Sequence, residues 1–405
     1  MVNKLPELLA PAGNMERLEF AVHYGADAVY CGGKKLGLRS FATNFTMEEM
    51  QEAAKLVHSL DKRIYVTLNA FMRNSDLADL PGYIADIVHT GIDALIVTDP
   101  AAIVMIKKYA PQIELHISTQ ANVLNYETAN FYHKIGAKRI ILARELSLDE
   151  IRTIRDHTPQ TLELEAFVHG AMCISYSGRC LLSNFFSGRD GNRGECNQPC
   201  RFNYEIREKG KDGDWYPIEQ DENGTYILSS RDLMMLSHID KLIDAGICSL
   251  KIEGRMKTSF YVASVVNAYR IALDSLKEGK PIDNKLLAEM DKLRHRPYTT
   301  GFYLGDCERE YTKGNCYIQS HEFVAKVLMY DADNKRALVE QRNRFFVGDS
   351  LEVLTPGCLP YIVKVDSITN LDGESQEAAP HPKQKVWLAI ETPVKPMDIL
   401  KRKIE

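Results

Sequence analysis

Short apolar runs alternate with amphipathic helical sequence along residues 7–253, and this alternation is the strongest constraint on the fold. Eight strand-like runs lie at residues 7–13, 27–31, 63–69, 94–99, 114–120, 139–144, 162–168 and 248–253. Alternating strand–helix units of this number are typical of a parallel barrel. An open doubly wound sheet is the alternative, but no G-x-G-x-x-G follows the first run, which weakens its dinucleotide-binding form. We therefore predict an α/β fold with a TIM-like (β/α)8 barrel.

Two segments fall outside this repeat. The stretch between the seventh and eighth runs is far too long for an ordinary barrel loop, so we predict an insertion at about 170–228 that ends in a hairpin, marked by the turn signal Asn223-Gly224. After residue 316 the pattern changes to short strand-like runs at 323–328, 336–340, 350–354, 361–365 and 385–390. These predict a small β-barrel domain over 316–405, which follows a barrel domain over 1–310.

The composition is that of a globular protein, with 45% hydrophobic and 26% charged residues in a chain of 405. No apolar run approaches the roughly 20 residues that span a bilayer, and residues 1–11 show no secretory signal pattern. We expect a cytoplasmic protein with no membrane contact. The net charge of -5 excludes a uniformly basic nucleic-acid coat but leaves room for a local basic patch.

Polar side chains collect at the predicted carboxyl ends of several barrel strands, where the active sites of such barrels form. His116, Ser118 and Gln120 alternate along the fifth run, and Arg144 and Glu145 end the sixth. The candidate catalytic residues predicted to line a pocket are His116, Glu165, His169, Lys251, Glu253 and Arg255. Some of these side chains could instead face outward or form structural ion pairs in the barrel floor.

Four of the nine cysteines lie within 28 residues of the insertion, as Cys173, Cys180, Cys196 and Cys200. Four thiolates in a reducing compartment suit zinc or an iron–sulfur cluster. The spacing C-x6-C-x15-C-x3-C is too wide in its first pair for a zinc ribbon and favours a cluster. Zinc, and cysteines that bind no metal, remain the alternatives.

The same loop carries arginines interleaved with phenylalanines. The candidate RNA-binding residues are Arg179, Arg189, Arg193, Arg201 and Phe202, with Phe185 and Phe186 between them. Arginine beside aromatic residues is the usual chemistry for contacting phosphates and stacking on bases. A solvated loop with a few charges is the alternative interpretation.

Several motifs resemble the collagenase-like U32 peptidase family. The most specific is Glu165-Ala-Phe-Val-His-Gly-Ala-Met-Cys173, followed by Gly178-Arg-Cys180. The runs at 7–13, 189–196, 198–201, 251–255 and 296–302 and the C-terminal β module are also similar to the family. The resemblance therefore covers nearly the whole chain.

Members of this family at about this length resemble enzymes that hydroxylate the wobble uridine of tRNA to 5-hydroxyuridine. The resemblance implies a 4Fe-4S cluster held by the four clustered cysteines, with prephenate as a source of oxygen that does not require O2. It also implies a tRNA anticodon loop, the iron–sulfur assembly machinery and a paralogue of the same family as partners. Other members hydroxylate a ribosomal cytidine or a small aromatic substrate.

Two further functions stay open at this point. A peptidase is what the family name states, but the chain has no H-E-x-x-H and no G-x-S-x-G motif. A cysteine protease could use Cys173 with His169, which lies four residues before it. The cysteines could also staple a long loop in an RNA-binding protein that has no catalytic activity.

Overall fold

The computed structural model describes residues 5–38, 43–173, 175–201, 219–221, 224–226, 231–305 and 317–404. Seven strands and seven helices alternate first. The strands β1 to β7 are Glu7–Pro11, Ala28–Gly32, Arg63–Leu68, Ala94–Val97, Glu114–Ile117, Arg139–Ile141 and Glu163–Ala171. The helices α1 to α7 are Met15–His23, Met47–Ser59, Asn74–Leu77, Leu80–His89, Pro100–Tyr109, Tyr126–Lys134 and Leu148–Asp156.

After β7 the chain forms the insertion and then completes the barrel. The insertion contains α8 (Leu182–Ser187) and the antiparallel hairpin of β8 (Glu219–Asp221) and β9 (Gly224–Tyr226). Next come β10 (Asp232–Met234), α9 (Ile239–Asp244), β11 (Ser249–Ile252), α10 (Ser259–Lys277), α11 (Lys285–Met290) and β12 (Tyr298–Thr299). Short 3-10 turns lie at Thr119–Ala121, Gly191–Arg193, Pro199–Arg201 and Leu236–His238.

The barrel consists of β1 to β7 and β11, with neighbours paired in parallel. It closes because β11 pairs with both β7 and β1. Strand β10 extends the sheet beside β7 as its antiparallel neighbour, and β12 follows it. The prediction of a TIM-like barrel from eight strand-like runs is confirmed, and each run overlaps one barrel strand.

Local sequence signals explain several helix starts. Thr46 and Glu49 form a reciprocal capping box at the start of α2, as Ser147 and Glu150 do for α7. Helix α10 is almost entirely apolar or small in sequence and is largely buried against the barrel. The barrel strands are buried on both faces, as expected for a parallel sheet covered by helices.

The C-terminal β module is also confirmed, as an antiparallel half-barrel. Its ten strands are β13 (His321–Asp331), β14 (Arg336–Gln341), β15 (Phe345–Phe346), β16 (Ser350–Leu354), β17 (Tyr361–Lys364), β18 (Ile368–Thr369), β19 (Ser375–Gln376), β20 (Ala378–Ala379), β21 (Lys385–Ala389) and β22 (Ile399–Lys403). Eight of them form one sheet in the order β17-β16-β22-β13-β14-β21-β18-β19. Strand β22, which joins β13 to β16 in this sheet, was not predicted from the sequence.

Polar contacts join the two domains. Tyr24 of α1 donates its hydroxyl hydrogen to the carbonyl of Leu354, at 2.8 Å. Lys292 bonds to Glu352 at 2.7 Å, and the buried Lys401 bonds to both Glu289 and Glu352. None of the helices in the described ranges combines the length and apolarity needed to cross a membrane.

Candidate active site at the barrel mouth

A cavity of about 200 Å³ opens at the carboxyl ends of the barrel strands and extends under the insertion. Strand-end side chains form its floor and walls, and the first half of the insertion covers one side. The lining includes Tyr30, Thr67, Asn69, Ile96, Ser118, Gln120, Ile141, Arg144, Phe167, Lys251, Glu253, Arg255, Lys257, Cys173, Ser175, Tyr176, Cys180 and Cys196. The cavity lies where the sequence predicted a pocket. Three of the six candidate catalytic residues line it, namely Lys251, Glu253 and Arg255.

Lys251 places a cation at the floor of the cavity, and buried side chains of the barrel interior fix the position of its ammonium. Its Nζ donates to Oε1 of Glu165 at 2.9 Å and lies 4.4 Å from the centre of the Tyr30 ring. Burial lowers the pKa of Lys251, and the charge of Glu165 opposes that shift. The side chain of Lys251 faces the barrel interior. Moving its ammonium away from Glu165 would break a buried ion pair, which costs free energy.

Glu165 and His116 are fully buried in the barrel and are not part of the cavity lining. The Glu165 carboxylate accepts from Arg139 at 3.0 Å and from Ser249 at 3.0 Å, besides Lys251. Burial raises its pKa, but the charges of Lys251 and Arg139 outweigh that effect and leave the pKa below its ordinary value. Glu165 is therefore a buried counter-ion rather than a group that can reach a substrate.

His116 packs edge-on against the ring of Tyr65, with the ring centres 4.8 Å apart. Its Nε2 lies 3.4 Å from Glu114, and its Nδ1 is buried without a hydrogen-bond partner. Burial lowers the pKa of His116, so burial favours the neutral ring. Of the three alternating residues on this strand, Ser118 and Gln120 reach the cavity and His116 does not.

His169 also lies away from the cavity, among the aromatic side chains of α10 and β12. Its ring centre is within 6 Å of the ring centres of Tyr261, Tyr269 and Tyr298. Burial lowers the pKa of His169 to about 3. A neutral histidine outside the cavity lining does not fit the proton-transfer role predicted for it.

Arg255 and Glu253 line the cavity as predicted. Arg255 donates from Nη1 to Oγ1 of Thr67 at 3.1 Å. The guanidinium lies so close to Gly32 that a Cβ there would meet Nη1 at 1.9 Å. Tyr30 donates to Oε2 of Glu253 at 3.4 Å and to the carbonyl of Ile252 at 2.9 Å.

Arg144 completes the cationic lining, although the sequence prediction noted only its position at a strand end. Its Nη1 donates to the carbonyl of Ala171 at 2.8 Å, and its guanidinium carbon lies 4.0 Å above the ring of Phe167. Its Nε is buried and has no hydrogen-bond partner, as is also the case for Oδ1 of Asn69 and Oε1 of Gln120. The cavity therefore offers unused donors and acceptors to a polar ligand. Asn69 and Thr67 were missed, although their position at the end of β3 was the signal that could have found them.

Three of the four clustered cysteines, Cys173, Cys180 and Cys196, line this one cavity. Cys200 lies in the 3-10 turn that follows them, Pro199–Arg201. In the described part of the chain, no group of three or more histidine, cysteine, aspartate or glutamate side chains is spaced closely enough to hold a metal ion. The donors suit a soft metal in kind and in placement, but the structure does not bring them to bonding distance.

The predicted RNA-binding residues have different surroundings. Arg193 is bound internally, by two contacts to Asp76 at 2.7 and 3.1 Å. Arg179 is exposed, with its guanidinium carbon 5.6 Å from the centre of the Phe71 ring. Arg189 is exposed and Arg201 lies in the 3-10 turn Pro199–Arg201, while Phe202 lies outside the described residues.

Family comparisons agree with this architecture. The model of Peptidase family U32 matches residues 13–313, and that of the Peptidase family U32 C-terminal domain matches residues 319–401. The chain belongs to peptidase family U32. The first match contains seven of the eight barrel strands, the residues that line the cavity and all four clustered cysteines, so these belong to the part that the family shares.

Curated U32 relatives extend over nearly the whole chain. The tRNA hydroxylation protein P1 of Bacillus subtilis (strain 168) is 39% identical over 99% of this chain and 96% of its own length. The tRNA hydroxylation protein P of Escherichia coli (strain K12) is 36% identical over 95% of this chain and 94% of its own length. A collagenase of Porphyromonas gingivalis (strain ATCC BAA-308 / W83) is 31% identical over 98% of this chain and 97% of its own length.

Proposed function

We propose that the protein is an RNA-modifying enzyme that hydroxylates the wobble uridine of tRNA at carbon 5. The observation that carries this proposal is the cavity at the barrel mouth, which combines three cysteines with the cations Lys251 and Arg255. The cysteine thiols can bind a redox-active metal centre, and the two cations can bind an anion. This combination suits an oxidation that uses a negatively charged co-substrate. The names of two relatives matched over nearly the whole chain support tRNA as the substrate.

The proposed cofactor is a 4Fe-4S cluster held by Cys173, Cys180, Cys196 and Cys200. When bound through four thiolates, such a cluster supplies one-electron transfer. Zinc is the alternative metal for four cysteines. The iron–sulfur assembly machinery would be the partner that loads the cluster, and a family paralogue remains a candidate partner.

The cationic residues of the cavity would bind the co-substrate. Replacing hydrogen by hydroxyl on a base is a two-electron oxidation. It balances if a co-substrate R′–OH gives up its hydroxyl oxygen, its C–O bond breaks, and the carbon that carried the hydroxyl takes up the two electrons and a proton. Prephenate, a dicarboxylate, is the candidate. Arg255 and Lys251 would each contact a carboxylate, and the unpartnered Nε of Arg144 would add a further donor.

Neutral and acidic side chains would position the uracil and move a proton. The unpartnered amide oxygens of Asn69 and Gln120 can accept from the N3–H of the base. Glu253 lines the cavity and is the candidate to accept the C5 proton, a role that the structure does not support for His169 or Glu165. A base must leave its stack to reach this depth, which suits an unpaired anticodon nucleotide.

A peptidase is the alternative that the collagenase relative keeps open. The geometry disfavours it, since His169 lies among tyrosines and has a pKa of about 3, whereas Cys173 faces the cavity. A thiol nucleophile needs a base in hydrogen-bond reach. Hydroxylation of another RNA or of a small aromatic substrate would use the same cavity.

Mass spectrometry of nucleosides tests the proposal. We expect tRNA from a strain that lacks the gene to lose 5-hydroxyuridine-derived wobble nucleosides, and expression of the wild-type protein to restore them. In the same samples, loss of 5-hydroxycytidine from ribosomal RNA would assign the other RNA substrate. Unchanged nucleosides in both RNAs, together with gelatin hydrolysis by the purified protein, would replace the proposal with the peptidase.

A further inference from the structure

Large apolar side chains stand exposed on and next to helix α8 of the insertion, beside the cavity. Leu181, Phe185 and Phe186 have 69%, 81% and 54% of their surface accessible. Exposed apolar residues that occur singly are ordinary, but a cluster of them marks an interaction site. This cluster, which we call the α8 patch, lies next to Cys180 and Ser183, two residues of the cavity lining.

The helix that carries the α8 patch is anchored from its other face. Ser183 is buried and donates from Oγ to the side-chain oxygen of Asn197 at 2.8 Å. Ser187 donates to the carbonyl of Ser183 at 2.7 Å. The helix ends at Gly188, whose φ of 68° suits glycine. Phe185 therefore projects into solvent from a fixed support, and its exposure is a property of the fold.

Phe185 also presents an aromatic ring in a defined orientation. Its ring lies edge-on to Phe186, with the centres 5.3 Å apart and the planes at 84°. Two exposed arginines, Arg179 and Arg189, flank the helix in the sequence. Aromatic rings with cations near them in the chain are complementary to unpaired bases on a phosphate backbone.

We propose that the α8 patch is a stacking platform for the unpaired bases next to the target nucleotide of an RNA loop. This inference rests on the proposed function and adds the groups that hold the loop while one base enters the cavity. Phe185 is the central residue, since it is the most exposed of the three. The contact depends on an aromatic plane and on unstacked bases, and it is independent of sequence because every base has a π face.

Fluorescence anisotropy with a labelled anticodon stem–loop RNA tests this proposal on the full-length protein. A fully paired RNA of the same length is the comparison ligand. Phe131 is the matched control position, because it is 56% exposed on α6 and lies edge-on to Tyr132 with ring centres 5.4 Å apart. The variants are F185A, F185L, F185W and F131A, each checked for unchanged thermal unfolding.

We expect F185A and F185L to bind the stem–loop about 5- to 100-fold more weakly than wild type, from the usual strength of base–aromatic stacking. F185W and F131A should bind as wild type, and no variant should alter binding of the paired RNA. Wild-type affinity in F185A would overturn the platform. Wild-type affinity in F185L would also overturn it, because the contact with the RNA would then need an apolar side chain but no aromatic ring.

Two different sets of results would contradict the proposed function and the stacking platform. A wild-type protein that neither binds the stem–loop nor restores hydroxylated nucleosides in cells contradicts the proposed function, and the platform with it. A wild-type protein that does both, while F185A does both equally well, contradicts the platform alone.

Discussion

Asp76 and Arg193 form a two-point ion pair that ties the cysteine-bearing insertion to helix α3, the short helix after β3. The guanidinium donates from Nη1 and Nη2 to the two carboxylate oxygens at 2.7 and 3.1 Å, and Nη1 also donates to the carbonyl of Phe71 at 2.6 Å. The adjacent Asn192 donates to the carbonyl of Cys180 at 3.1 Å. The pair thus holds the segment between two cavity cysteines against the barrel.

Replacing Arg193 by alanine should loosen the insertion without unfolding the barrel. Hydrogen bonds to charged groups contribute about 1.5–3 kcal/mol each when partly buried, so local opening should become easier by about that amount. Hydrogen exchange across residues 178–198 measures the effect. Arg73, which is mostly exposed and lies 3.4 Å from Asp190, is the control, and R73A should change exchange little. Equal protection in R193A and wild type would contradict the role of the Asp76–Arg193 pair in holding the insertion.

Replacing Glu165 should lower the free energy of unfolding more than replacing Lys251. E165Q leaves the buried ammonium of Lys251 and the guanidinium of Arg139 without their shared carboxylate, and breaking a buried pair in this way costs about 3–5 kcal/mol. K251M should cost less, because Glu165 keeps its bonds to Arg139 and Ser249. Urea denaturation of both variants checks the order. A larger loss in K251M would mean that Lys251, rather than Glu165, is the centre of the buried network.

Gly32→Ala should displace Arg255 while leaving the fold intact. The added Cβ would meet only the flexible end of the Arg255 side chain at less than 3 Å, so the guanidinium can move away at small cost. We expect G32A to lose hydroxylation to the same degree as R255A, with thermal unfolding close to wild type. Full activity in G32A would show that the Arg255 position seen here is not the working one.

The contribution of Glu352 to the stability of the junction between the domains should decrease at low pH. Burial raises its pKa, but bonds to Lys292 and Lys401 outweigh this effect and lower the pKa from 4.5 to about 2. The stabilisation is therefore complete above pH 4.5 and is lost as the pH falls towards 2. Partial exposure reduces its size to about 1–2 kcal/mol. The stability difference between wild type and E352Q, measured at pH 7, 4.5 and 3, should shrink over this range. A difference that stays constant would contradict the assignment.

Alternation along strands predicted the direction of side chains but not their depth. His116 in β5 and Ser118 just after its end alternate in the sequence, yet only Ser118 lines the cavity. Depth depends on the stagger of neighbouring strands, which a single strand's sequence does not contain. The partners of Glu165 were equally hidden, because Arg139 comes from the neighbouring strand β6 and Ser249 from the distant strand β11, and the sequence does not give the register between these strands.

His169 shows where alternation itself fails. The pairing of β7 with β11 passes from Phe167 opposite Lys251 to His169 opposite Ile252, so Val168 is skipped. This bulge, followed by Gly170 with a φ of 109°, turns His169 away from the cavity. Arg193 illustrates the other limit, since its charge is visible in the sequence but its partner Asp76 lies 117 positions away.

Complementation of a strain that lacks the gene, with wild type, C196A and C358A expressed at equal levels, tests the central claim most directly. Cys196 lines the cavity, whereas Cys358 is an exposed cysteine of the C-terminal domain. Wild type and C358A should restore 5-hydroxyuridine-derived nucleosides in tRNA and purify anaerobically with iron, and C196A should do neither. Restoration of those nucleosides by C196A, or wild-type protein purified without iron, would contradict a cysteine-bound cluster at the centre of this reaction.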